Sequence, residues 1–132
     1  MLSHPHYLEL CHELWKKGLS YDLRPGLRIG RGFSDIGAEE YSVLNYKKAV
    51  SLLTGKEIEL DEFFLNYYFF VPDAEELVLE LFKRNINIEK IEFIDQRSWR
   101  IEIENQKLQK FIQEERSLHQ CLALLLLDHL KS

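Results

Sequence analysis

The chain is predicted to fold as α+β, with one small, mostly antiparallel sheet of three to four strands and helices packed mainly on one face. Three segments carry that expectation. Trp99-Arg-Ile-Glu-Ile-Glu104 sets Trp99, Ile101 and Ile103 on one face and Arg100, Glu102 and Glu104 on the other, the period of a half-buried strand. Residues 117–130 place Leu118, Cys121, Leu122, Leu125, Leu126 and Leu130 at helical spacing, widened by Ala123, Leu124 and Leu127. A helix so apolar must be covered on more than one side. Asp73 followed by Glu76 is a capping box, and Ala74, Leu77, Val78, Leu81 and Phe82 continue it as an amphipathic helix.

The remaining elements follow in order. Residues 6–17 form a first helix with the stripe Tyr7, Leu10, Cys11, Leu14 and Trp15, ended by Gly18. Residues 19–37 are rich in glycine and contain Pro25-Gly26. They read as a long loop with one short strand around 27–29, and loops of that length are usually functional or mobile. Residues 38–53 are expected to be a second helix, with Tyr46, Val50 and Leu53 on one face and Gly55 as terminator. Ile58 and Leu60 alternate with charges and suggest an edge strand.

The stretch Phe63-Phe-Leu-Asn-Tyr-Tyr-Phe-Phe-Val71 is mostly aromatic. Aromatics favour strands, and Pro72 pushes the residue before it out of helical space. Residues 65–71 are therefore expected to be a central strand buried on both faces, with a helix starting at an Asp61 cap as the rival. Residues 88–94 alternate and pair with the Trp99 strand as an antiparallel hairpin. Residues 106–115 are ambiguous between helix and strand. Ser117 caps the last helix, with Gln120 as its capping partner.

The chain has 132 residues, 45% of them hydrophobic and 30% charged. That suits a single domain over residues 1–132 with its own core. The net charge of −5 disfavours broad electrostatic binding to nucleic acid. The aromatic stretch has no interleaved basic residue to serve a base-stacking surface. Cys11 and Cys121 are expected to be small buried hydrophobes rather than a disulfide. No secretory signal is evident, and the apolar run at 122–127 is far too short to span a membrane. A cytoplasmic location is the default that follows.

The segment that looks chemically loaded is 24–33, which sets Arg24, Arg28 and Arg31 among Gly26, Gly30 and Gly32. Guanidinium forks match phosphate and carboxylate geometry, and glycines let backbone N–H groups approach an anion. Arg24, Arg28, Gly30, Arg31 and Gly32 are thus the candidate anion- or partner-binding residues. The alternative is a plain surface segment whose arginines pair with nearby carboxylates. Asp35 stands where a dinucleotide fingerprint needs its last glycine, and no Lys-Ser/Thr pair follows to make a phosphate loop.

No metal pattern joins His4, His6, His12, His119 and His129, so no metal and no cofactor are expected. The carboxylates lie mainly at helix starts and on an outward strand face. No nucleophile elbow is present, and no catalytic residue is assigned.

The pair Trp99-Arg-Ile101 and Ser117-Leu-His-Gln-Cys-Leu-Ala-Leu-Leu125 resembles a pattern in small phage and prophage proteins. In those, a Trp-x-Ile/Val strand precedes a terminal helix of the form Ser-x-x-x-Ala/Cys-x-Ala-Leu-Leu. The likeness covers about a quarter of the chain. It implies a small α/β sandwich-like domain and a mobile-element setting, and carries no catalytic residues.

Two functional classes result. The first is a non-enzymatic protein-binding or modulator protein acting on a host protein, with a homodimer as one way to cover the apolar last helix. The second is an anion- or nucleotide-phosphate-binding protein using the Gly-Arg segment. An enzyme is the least supported class.

Overall fold

The computed structural model describes residues 3–34, 37–61 and 67–130. The elements run α1 (Pro5–Lys16), β1 (Arg28–Ser34), β2 (Gly37–Asn45), β3 (Lys48–Ser51), β4 (Glu57–Glu59), β5 (Tyr68–Phe70), α2 (Ala74–Lys83), β6 (Asn87–Ile94), β7 (Ser98–Glu104), β8 (Lys110–Glu115) and α3 (Leu118–Leu130). The strands make two antiparallel sheets, five-stranded in the order β4-β3-β2-β1-β5 and three-stranded in the order β6-β7-β8. The chain is α+β. Its strands are shared between two sheets, where the sequence pointed to one of three to four strands. The contacts divide it into two compact units, Met1–Pro72 and Asp73–Ser132. The boundary falls between a buried proline and a helix cap, with no linker composition to mark it.

In the first unit α1 starts at His4, whose ring accepts the His6 N–H at 3.2 Å, with Pro5 as the first helical residue. Its buried face is Tyr7, Leu8, Cys11 and Leu14, and it packs on β5, β1 and β2. Gly18 then takes φ +99°, and Leu19 N–H returns to the Leu14 carbonyl at 3.0 Å.

The helix expected over 38–53 is instead the β2–β3 hairpin. Tyr46 and Leu53, assigned to its buried stripe, stand in solvent at 74% and 70% exposure. Burial follows the strand period, with Tyr41 and Val43 inside and Leu44 outside. Asn45 bends the chain, its side-chain oxygen accepting the Lys47 N–H at 2.8 Å. The long-loop expectation over 19–37 is corrected too, because β1 fills its second half.

Strand β4 occupies one edge, as Ile58 suggested. Of the aromatic stretch, residues 62–66 lie outside the described residues, so the helix starting at Asp61 falls largely there. Tyr68, Phe69 and Phe70 form β5, all buried. Both faces are covered as expected, but β5 ends the sheet order instead of lying at its centre.

In the second unit both halves of the capping box form. Asp73 accepts the Glu76 N–H at 2.7 Å, and Glu76 accepts the Asp73 N–H at 3.0 Å. Asn85 ends α2 in the left-handed region at φ 58°. The β6–β7 hairpin pairs Ile91 with Ile101 and Phe93 with Trp99. The ambiguous stretch 106–115 becomes a turn followed by β8. Its turn is built by Asn105, whose side-chain oxygen accepts the N–H groups of Lys107 and Gln109, each at 3.0 Å. Helix α3 packs on α2, β8 and β7. Ile101, Ile103, Leu122, Leu125 and Leu126 are the buried centre.

Candidate functional site

The Gly-Arg segment is sheet, and the sheet separates its charges. Arg24 is exposed at the head of a tight turn, where Leu27 N–H meets the Arg24 carbonyl at 3.1 Å and Gly26 takes φ +86°. Pro25-Gly26 supplies the two central residues that turn needs. From Arg28 onward side chains alternate. Arg28 and Gly30 lie on one face of β1, opposite Ser42 and Glu40, while Ile29 and Arg31 lie on the other, opposite Tyr41 and Glu39. Gly32 is exposed where the β1–β2 register slips. The three guanidiniums are thus not gathered on one face. β1 is also bonded on both edges, to β2 and to β5, so its amides serve the ladder.

Among the described residues of this unit Glu40 is the buried charge, at 2% exposure. Its carboxylate accepts the Ser3 N–H at 2.8 Å, the Ser3 hydroxyl at 3.0 Å and Arg28 Nη1 at 3.2 Å. A buried carboxylate is tolerated only with such partners. Arg28 therefore holds a structural ion pair, as the surface-segment alternative anticipated for the arginines. Cys11 lies on the buried face of α1, and burial pushes its thiol up to about 12. His12, touching Phe69, is lowered by its own burial and then by Lys16.

Cys121 lies against the second sheet and is raised to about 11, again by burial. Both cysteines are free. Among the described residues no three His, Cys, Asp or Glu side chains group as a metal site. No described helix is long and apolar enough to cross a membrane.

The second unit exposes apolar side chains on β6. Register puts Ile91 and Phe93 of β6 on the same sheet face as Trp99, Ile101 and Ile103, which is the core face. Helix α3 packs over β7 and β8. Ile91 and Phe93 remain 43% and 53% exposed, and the Phe93 ring meets Trp99 at 5.0 Å between centroids. They lie on an edge strand, since β6 ends its sheet. Such an edge offers unpaired backbone groups to another chain. The alternation of residues 88–94 predicts a strand with Ile91 and Phe93 on one face; how far α3 reaches across the sheet is a tertiary fact that alternation does not carry.

The opposite face of the same edge is charged. Lys90 and Glu92 are 2.9 Å apart. Their hydrogen bond raises Lys90 above the usual lysine range and holds Glu92 below the usual carboxylate range. Across the sheet Lys90 stands opposite Glu102 and Glu92 opposite Arg100, and Arg100 in turn bonds Glu114 at 3.2 Å. Charge alternates along the Glu92–Arg100–Glu114 row, and the Lys90–Glu102 pair ends at Ile112.

A cleft of about 510 Å³ opens elsewhere in this unit, lined by Arg84, Asn105, Lys107, Phe111, Asp128 and His129 among others. Its charges are of both signs, and Arg84 is already held by Glu80 at 2.7 Å. The cleft therefore selects no particular ligand charge. Comparison with family models, with curated proteins and with solved structures gives no match.

Proposed function

We propose that this chain is a non-enzymatic protein-binding or modulator protein, and that its contact surface is the β6 edge of the second unit. One observation carries the reading: Ile91 and Phe93, core-facing by register, are exposed on an open edge strand beside Trp99. Exposed apolar patches at such edges mark interaction sites, where backbone bonds supply affinity and side chains supply specificity. The resemblance of the C-terminal block to phage and prophage proteins supports a mobile-element origin, with a host protein as the target.

The test is retention of a partner from host extract on immobilised protein. Wild type should hold a discrete protein that Ile91→Lys and Phe93→Glu release, while Arg24→Ala and Arg31→Ala keep it. Retention that depends on the arginines and ignores β6 would move the function to the Gly-Arg segment. Recovery of a small anion with no protein would overturn the reading.

A further inference from the structure

The charge pattern on β6 specifies its own complement. We infer that the β6 edge pairs with the β6 edge of a second copy of this chain, antiparallel about a two-fold axis through Ile91. The inference rests on the protein-binding reading above and names the partner.

Parity limits the registers open to such a pair. In an antiparallel pair, directly opposed residues point to the same face. The apolar strip continues across the seam only if the two opposed residue numbers sum to an even value. Among the registers that meet this condition, three place the axis within the charged segment Lys90–Glu92, beyond the bulge at 88–90. A two-fold axis at Lys90 opposes lysine to lysine, and one at Glu92 opposes glutamate to glutamate. The register centred on Ile91 sets Lys90 against the partner's Glu92, and Glu92 against the partner's Lys90. Opposite charges directly across a ladder stabilise it and like charges weaken it, so the Ile91 register is selected.

The existing sheet already obeys this rule. Along one row Glu114, Arg100 and Glu92 alternate in sign across β8, β7 and β6. A strand added at β6 must present a cation opposite Glu92 and an anion opposite Lys90 to continue the pattern. The two-fold copy does both. On the other face Ile91 meets the partner's Ile91, and Phe93 lies diagonal to it, within reach of an aromatic ring. Both Lys90 and Glu92 are accessible for this, at 56% and 36% side-chain exposure.

The β8 edge is less suited to the same use. Helix α3 packs against that strand, and the Phe111 ring is already against His129 at 5.0 Å. Glu114 is engaged by Ser98 and Arg100. An isologous pair through β6 would turn two three-stranded sheets into one of six and close both apolar edges. A host target using the same strip would compete with the second copy.

Sedimentation velocity across a wide concentration range tests this with four samples. Wild type should associate to a dimer. Lys90→Glu alone sets glutamate against glutamate, and Glu92→Lys alone sets lysine against lysine; each should weaken the dimer at least about ten-fold. An equimolar mixture of the two variants restores both Lys–Glu pairs and should recover a heterodimer. Circular dichroism checks that both exposed substitutions leave the fold intact. A wild type monomeric throughout overturns the inference, and so does a dimer that neither substitution weakens or a mixture that stays monomeric. Retention of a different protein through β6 in those cases would leave the protein-binding reading standing.

Discussion

A Cβ built on Gly30 would stand 2.4 Å from Cζ of Phe69, so the phenyl ring of β5 occupies the place of the missing side chain. The two residues are register partners across the β1–β5 ladder. This glycine is selected by close packing. Gly30→Ala should destabilise the first unit by about 1–3 kcal/mol, the usual cost of overpacking. Phe69→Leu should absorb part of that penalty in the double variant, which chemical denaturation of the four proteins would show. Purely additive effects would place the ring elsewhere.

Arg28→Ala leaves Glu40 buried with Ser3 as its remaining partner among the described residues. Breaking a fully buried pair costs about 3–5 kcal/mol. Arg28 is itself 37% exposed, so water can take over part of its role and a loss of about 2 kcal/mol is expected. Arg24→Ala and Arg31→Ala, at exposed positions, should each change stability by under about 0.5 kcal/mol. Equal effects at all three positions would contradict the separation of their side chains.

The β6–β7 turn carries Asp95 and Gln96 at φ 51° and 56°, and Arg97 N–H closes it on the Ile94 carbonyl at 3.0 Å. Neither residue is glycine, so each bears a left-handed penalty of about 1 kcal/mol. Gln96→Gly should raise the melting temperature of the second unit, worth up to about 1 kcal/mol. A drop would show that the turn has another conformation.

Burial holds Cys11 at about 12 and Cys121 at about 11, both above the unperturbed 9.0. A raised acid favours the folded state while the thiol is protonated in both states. That contribution is present below pH 9 and is lost as pH rises through the folded values. Stability should therefore decline from pH 9 upward, less steeply in Cys11→Ala than in wild type. At pH 8 iodoacetamide should leave both thiols unmodified until denaturant is added; rapid labelling of the native protein would contradict their burial.

Much of the second unit was legible in the sequence because its signals are local. The Asp73 cap, the alternation through Trp99 and the oily stripe around Leu125 each need only neighbouring residues. The first unit misled at residues 38–53. Tyr46, Val50 and Leu53 satisfy helical spacing by coincidence, and the decisive constraint is pairing of Tyr41 with Ile29 and Ser51 on neighbouring strands. Arg28 and Arg31 looked like one cluster until β1 turned them to opposite faces. The β6 edge was hidden for the converse reason. Ile91 and Phe93 carry a core pattern, and their exposure depends on where α3 comes to rest.

Amide hydrogen exchange along β6 bears most directly on the identity of the contact surface. In dilute protein the outward amides of β6 should exchange fast, while those of β1, held between two neighbours, stay slow. At high concentration, or with a partner bound, protection should rise around Ile91 and leave residues 24–31 unchanged. Unchanged exchange at β6, with new protection at residues 24–31 instead, would contradict the assignment of the edge as the surface that binds.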